Sequence, residues 1–256
     1  MIVRFRNMLK YFLVPSLLIS LWQLLLIHST NPFFPTPLKI LASSHRILTK
    51  QWFNIYFFPT LVTFILGTSA GWFLGIFIGS VMTIDRRIRD IFWPIVNFVR
   101  NIPSVAKVPL FIAILGISYT TRVTTVTLSV MFPVLITTMR AIRETDISLM
   151  EISRIIGLGR VKRLVEIELP AAAGEILAAL QASLQVGLIV TLLSETLGAG
   201  RGLGAFIAHS QATFRVMDLW ICLITVGVIG LIFNHFFLAM EQKLLPWYFR
   251  QAGKNE

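Results

Sequence analysis

Apolar positions along this chain collect into long uninterrupted runs. Stretches without Asp, Glu, Lys or Arg extend from Tyr11 to Leu38, Gln51 to Ile84, Val123 to Met139, Ile176 to Ser194 and Leu219 to Met240. At 1.5 Å per residue each has room for a helix that crosses about 30 Å of hydrocarbon. A sixth run, Ile91 to Ile117, is interrupted by Arg100 and Lys107 and punctuated by Pro94, Pro103 and Pro109. Its 15 Leu, Ile, Phe and Val residues favour insertion by roughly 5 to 9 kcal/mol, against about 5 to 7 for two cations at mid-membrane. Such a marginal span inserts with help from neighbours, and its cations face protein or water. The pattern therefore predicts an all-α polytopic membrane protein with six transmembrane helices.

Composition agrees with the pattern. Of 256 residues, 55% are hydrophobic and 14% charged, which excludes a soluble globule, and the single Cys222 can close no internal disulfide. A net charge of +11 would suggest nucleic acid in a soluble chain. Here the basic residues flank the apolar runs instead, fifteen on one side of the six-span topology and six on the other. The positive-inside bias then places both termini in the cytoplasm, and no nucleic-acid partner is expected. Arg4, Arg6 and Lys10 also suit a signal-peptide n-region, but the following run is long and lacks a small-residue cleavage site, so a retained first span is expected.

Three units follow. Residues 1–55 comprise the first span, a three-proline turn from Asn31 to Pro37, and a short outer amphipathic segment, Lys39 to Trp52. Residues 56–244 form the core, with a cytoplasmic loop at 144–170, and 245–256 form a cytoplasmic tail. Within the second span Gly67, Gly71, Gly75 and Gly79 recur every four residues, a side-chain-free stripe that admits another backbone closely. Packing within the chain and a subunit interface both fit this stripe. The 144–170 loop carries many charges, yet Ile147, Met150, Ile152, Ile155, Leu158, Val161 and Val165 recur at near-helical spacing. It reads as two short helices around a turn at Gly157 and Gly159, with Pro170 at the start of the next helix. Such a protrusion suits a groove on a cytoplasmic partner, or the lipid surface.

Within this loop, Glu151-Ile152-Ser153, three residues, Gly157, nine residues, then Ile167-Glu168-Leu169-Pro170 resembles the EAA motif of binding-protein-dependent ABC importer permeases. Ile152 and Ser153 replace the two alanines of that pattern. Phe98 to Pro103, Pro109-Leu110, Leu115 to Ile117, and Ser194 to Gly198 leading into Gly202-Leu203-Gly204 resemble the nitrate, sulfonate, taurine and bicarbonate branch. The likeness covers about residues 35 to 244. It implies a type I ABC importer fold like that of the methionine permease, in the cell inner membrane, moving a small anionic solute by alternating access. It implies a second permease copy, an extracytoplasmic solute-binding protein, and ATPase subunits that bind the ATP. It also implies that Glu151, Ser153, Arg154, Gly157, Leu169 and Pro170 lie at the contact with the ATPase. This chain has no G-x-x-x-x-G-K-[ST] sequence of its own, so the chain is expected to be no enzyme and to carry no cofactor.

Arg100, Lys107 and Glu195 are the candidates for the translocation path. Arg100 and Lys107 would share a face if their helix ran unbroken across Pro103, and two cations there would favour an anion; Arg100 also suits snorkelling to the surface. Glu195 closes an uncharged run and suits the path or an outer gate, or equally a structural pairing with Arg201, Arg100 or a backbone amide at a helix end. His28, His45, His209 and His235 lack ligand spacing, so no metal site is expected. Trp22, Trp52, Trp93, Trp220 and Trp247 fall where interfacial anchors belong. An ATP-independent carrier or channel, and a structural membrane protein, are the rival readings; neither accounts for the Glu151 to Pro170 spacing.

Overall fold

The computed structural model describes residues 2–29, 31–198 and 200–244, with side chains from 13 onward up to 243; the 245–256 tail, with Trp247, lies outside the described residues. Every regular element among them is helical, in the order α1 (Ile2–Leu26), α2 (Pro37–Ile47), α3 (Lys50–Trp52), α4 (Phe58–Ile84), α5 (Arg86–Asn101), α6 (Ser104–Leu115), α7 (Tyr119–Arg143), α8 (Ile147–Ile155), α9 (Arg160–Arg163), α10 (Leu169–Thr196), α11 (Leu203–Ala212) and α12 (Val216–Leu244). Four helical stretches are long and apolar enough to cross a membrane: Lys50–Ile84, Tyr119–Arg143, Arg160–Thr196 and Val216–Lys243. The α5–α6 pair makes a fifth, broken one, and α1 carries the remaining apolar stretch, Leu13–Leu26.

The helices outrun the charge-free runs in some places and stop short in others. The first ends at Leu26 instead of reaching Leu38: the chain turns there, Ser29 N–H donating to the Leu26 carbonyl at 3.1 Å, and Thr36 then caps α2 through its side chain. The second short helix expected in the 144–170 loop is the opening turn of the following span, since α9 runs into α10 without a break. Both long spans that contain a proline near their start pass through one wide π turn just before it. Phe53–Phe57 precedes Pro59, and Leu164–Glu168 precedes Pro170. Proline removes an N–H and crowds the carbonyl four residues back; opening the turn to i→i+5 bonding, Phe58 N–H to Phe53 O and Leu169 N–H to Leu164 O, lets the helix continue. The 55/56 division therefore lies inside continuous helix.

Packing centres on α4 against α7. A Cβ placed on Gly67 would meet Val126 Cβ at 2.6 Å, on Gly71 Val130 Cβ at 2.8 Å, on Gly75 Val134 Cβ at 2.8 Å, and on Gly79 the Leu135 carbonyl at 2.7 Å. The glycine stripe is thus spent inside the chain, each glycine receiving a ridge residue of α7 spaced, like itself, every four positions. Gly187 brings α10 onto the same centre, facing Thr68 and Phe64 of α4 and Val130 of α7. Phe64, Val130, Leu180 and Leu184 form the buried core there. Trp72 Nε1 donates to Ser183 Oγ at 2.7 Å, and Gln181 Nε2 to Asn234 Oδ1 at 3.0 Å, tying α4 and α12 to α10. On the outside, Phe73, Phe77, Leu231, Ile232 and Phe236 stay exposed, as lipid-facing residues must. The helix α1 is peripheral: Trp22 packs on Trp220 with centroids 5.1 Å apart, and Trp220 Nε1 donates to the Phe33 carbonyl at 3.1 Å.

Candidate functional site

At one end of the bundle the chain leaves α7 and folds into a hairpin built for a sharp reversal. Asp146 starts α8 by accepting the Ser148 N–H at 2.8 Å, and the Ser148 groups hold its carboxyl below the usual aspartate range. The helix stops after Ile155 in a paired closure: Gly157 N–H donates to the Arg154 carbonyl at 3.0 Å and Leu158 N–H to the Ser153 carbonyl at 3.0 Å. This is the Schellman geometry, and it requires the left-handed conformation that Gly157 adopts at φ 75°. No other heavy atom lies within 4 Å of the place where a Gly157 side chain would begin, so one would face outward.

The residues expected at a partner contact divide by face. Ser153 is fully buried, its Oγ donating to the Met150 carbonyl at 2.6 Å, so it fastens α8 from within. Glu151, Arg154 and Gly157 are exposed, Leu169 is half-buried and Pro170 lies exposed at the head of α10. The most open apolar side chains of the hairpin are isoleucines: Ile155 is 85% exposed and Ile147 76%, with Ile152 and Ile156 open beside them. Three isoleucines of the nine-residue α8 and Ile156 at its C-cap form an exposed apolar face, the kind of surface that meets a partner protein or a membrane. Their near-helical spacing was the available signal.

At the far end of α10 a second cluster forms around Glu195, which is 0% exposed. Its Oε2 accepts the Gly204 N–H at 3.1 Å and lies 2.8 Å from Thr60 Oγ1, which in turn accepts the Leu203 N–H at 2.7 Å. The carboxyl therefore sits at the N-terminus of α11, satisfying the free Gly204 amide at the positive end of that helix. Gly202 and Gly204 make room for it; a side chain on Gly202 would collide with the Glu195 carboxyl, and one on Gly204 with the Leu192 carbonyl. Glu195 makes no salt bridge among the described residues. Arg122, buried nearby, donates to the Arg201 carbonyl at 3.4 Å and lies over the Tyr119 ring. Of the pairings open from sequence, the helix-end amide is the one present. Neither α11 nor the dependence of its Leu203 on Thr60, 143 residues away, was legible beforehand.

Arg100 and Lys107 do not share a face. The helix breaks at Ile102–Pro103, and α5 and α6 meet at 101°. The proline lacks the N–H a continuous helix would use, and it holds the preceding residue extended, with Ile102 at ψ 120°. Arg100 ends exposed on α5. Lys107 lies on α6, only 4% exposed, with Nζ 5.2 Å from the Phe132 ring centre on α7 and no carboxylate partner among the described residues. The Lys107 stem is thus buried against α7 while its ammonium lies beside an aromatic face, an uncommon place for a cation in a membrane-spanning segment.

The geometry thus defines a polytopic helical membrane protein with a broken span, a glycine-packed helix pair and a projecting amphipathic hairpin. Residues 71–249 match the family described as the binding-protein-dependent transport system inner membrane component, and the chain belongs to that family. It is 27% identical over 247 residues to a putative aliphatic sulfonates transport permease protein SsuC of Bacillus subtilis, covering 93% of this chain and 87% of that one. It is 23% identical over 240 residues to the nitrate import permease protein NrtB of Synechocystis, covering 90% and 87%. To the taurine transport system permease protein TauC of Escherichia coli it is 26% identical over 234 residues, covering 89% and 85%. Among solved structures, the MetNI methionine ABC transporter, in an inward-facing crystal form, superposes with a TM-score of 0.62 over 78% of this chain and 98% of that chain, at 18% identity. The fold expected from the resemblance is therefore the fold present.

Proposed function

We propose that this permease works in the cell inner membrane as the membrane subunit of an ATP-driven importer for a small anion of the sulfonate, taurine, nitrate or bicarbonate class. Two copies form the path, an extracytoplasmic binding protein delivers the solute, and separate ATPase subunits drive alternating access. Both termini and the 144–170 hairpin face the cytoplasm, in keeping with the excess of Lys and Arg on that side. The observation that carries the reading is the hairpin itself: in a permease of this family, an exposed isoleucine face on a rigidly closed helix calls for a soluble partner with an apolar groove. Lys107 is the cation this reading assigns to the path, uncovered when α6 and α7 move apart. The named substrates of the relatives support an anion. Family membership leaves no observation favouring an ATP-independent carrier.

Purification of the tagged chain from its native membrane in mild detergent, with mass spectrometry of its companions, tests the assignment. An ATPase subunit should accompany the wild type and be lost from Gly157→Glu, whose side chain enters the contact from a left-handed backbone position. A chain that emerges alone from both preparations would sink the proposal.

A further inference from the structure

Between the hairpin and the bundle lies a cavity of about 610 Å³, within the size range of small-molecule sites. Seven arginines from three separate segments converge on it. Arg86, Arg87 and Arg89 come from the corner between α4 and α5, Arg143 from the end of α7, and Arg154, Arg160 and Arg163 from the hairpin. Two carboxylates also line it, and both are engaged in the wall. Asp85 Oδ1 accepts the Arg87 backbone N–H at 2.9 Å, and Glu168 Oε1 accepts from Arg163 Nε at 2.8 Å. Arg160 Nη1 donates to the Ile84 carbonyl at 3.3 Å, and Arg89 pairs with Asp90 at 2.9 Å. Arg86, Arg87, Arg143 and Arg154 have no carboxylate within 4.0 Å among the described residues.

The positive-inside bias explains why arginines are plentiful at this end, but it is a count over loops and asks for no convergence. Guanidinium groups gathered around one concavity repel one another, and that repulsion is relieved by an anion bound among them. Arginine forks match tetrahedral oxyanions in particular, offering paired N–H donors to two oxygens at once.

We propose that this cavity binds an oxyanion of the phosphate or sulfate type, carried by an anionic lipid headgroup or free in solution, and that the bound anion fastens the α8–α9 hairpin to the α4–α5 corner. The inference rests on the cavity and its arginines alone and holds whatever solute the permease carries. An occupied site makes the hairpin a rigid extension of the bundle, and an empty one leaves it held by few contacts. Binding there is thus a means of tuning how firmly motion passes between the hairpin and the spans.

The test uses the purified full-length permease in nanodiscs of phosphatidylcholine, titrated with sulfate, phosphate or methanesulfonate against chloride at matched ionic strength. A saturable rise in melting temperature with the oxyanions alone, together with slowed hydrogen exchange over residues 147–163, is the expected result. Arg86→Gln/Arg143→Gln should weaken the apparent affinity at least tenfold, while Arg46→Gln, at the opposite end of the bundle, should leave it unchanged. If 30% phosphatidylglycerol in the disc abolishes the response to free anions, the lipid headgroup is the occupant; if the response persists, the soluble oxyanion is. An equal response to chloride, or a double variant that folds and titrates like the wild type, would overturn the proposal. The wild-type comparison of anions decides the matter even if the double variant fails to fold.

Discussion

Gly67 gives the sharpest test of how the bundle is held. A methyl group there would stand 2.6 Å from Val126 Cβ and 2.7 Å from its Cγ1, where ordinary contact begins near 3.4 Å. The helices must therefore part by about 0.8 Å, or Val126 must leave its rotamer, at a cost of roughly 1–3 kcal/mol. Better helix propensity returns about 1 kcal/mol, leaving Gly67→Ala destabilised by roughly 0–2 kcal/mol. Val126 is fully buried, so Val126→Gly alone loses its packing and adds a helix-interior glycine, costing roughly 2–4 kcal/mol. Combined, the two changes move the gap from one helix to the other. The nearest atom then left to the new methyl is the Val123 carbonyl oxygen at 3.3 Å. The double variant should be less destabilised than the sum of the singles by about 1 kcal/mol or more. Reversible unfolding of the detergent-solubilised chain against increasing SDS measures all four corners of this cycle. Gly227→Ala, on α12 with no foreign atom within 4 Å, should be neutral or slightly stabilising. Strictly additive variants, or a Gly67→Ala permease that gains as much stability as Gly227→Ala or more, would refute the close-packing argument.

Other residues carry further expectations. Glu195→Ala leaves the Gly204 N–H without its acceptor, while the Thr60 hydroxyl can turn to the Tyr56 carbonyl at 3.0 Å, and should cost about 1–3 kcal/mol, whereas Glu195→Gln keeps an acceptor and should recover at least half; thermal melts of the two variants decide it. Gly157→Ala should destabilise the hairpin by about 1–2 kcal/mol through its left-handed backbone, raising protease nicking near residue 157 with no change in the melting of the bundle. Lys107→Met retains much of the side chain's length without its charge. Reduced uptake of an anionic solute at normal expression is expected, and unchanged kinetics would return Lys107 to a packing role beside Phe132.

The chain's charge-free runs located the crossings because lipid forbids uncompensated charge over that length. They misplaced the ends for the same reason: α9 carries Arg160, Lys162 and Arg163 at the water-facing start of a helix that later becomes apolar, and charge does not stop a helix that has left the membrane. Pro103 was legible as an interruption and Pro170 as the start of a helix, but not the geometry that each produces. Pro59 and Pro170 are absorbed by a π turn, whereas the chain bends by 101° at Pro103. The glycine stripe announced close approach without naming its partner, since Val126, Val130 and Val134 read as ordinary apolar residues. At the candidate site, the spacing from Glu151 to Pro170 located the hairpin and Gly157 its turn. Which side faces outward came only with the fold, through the burial of Ser153 and the exposure of Ile155.

The central claim is that this isoleucine face docks on an ATPase subunit. A photo-reactive amino acid at Ile155, irradiated in the native membrane, reads that contact directly. The account predicts a covalent adduct with an ATPase subunit that vanishes in the Gly157→Glu background. Adducts with lipid alone would contradict it, and would mean that α8 rests on the membrane surface instead of transmitting motion to a partner.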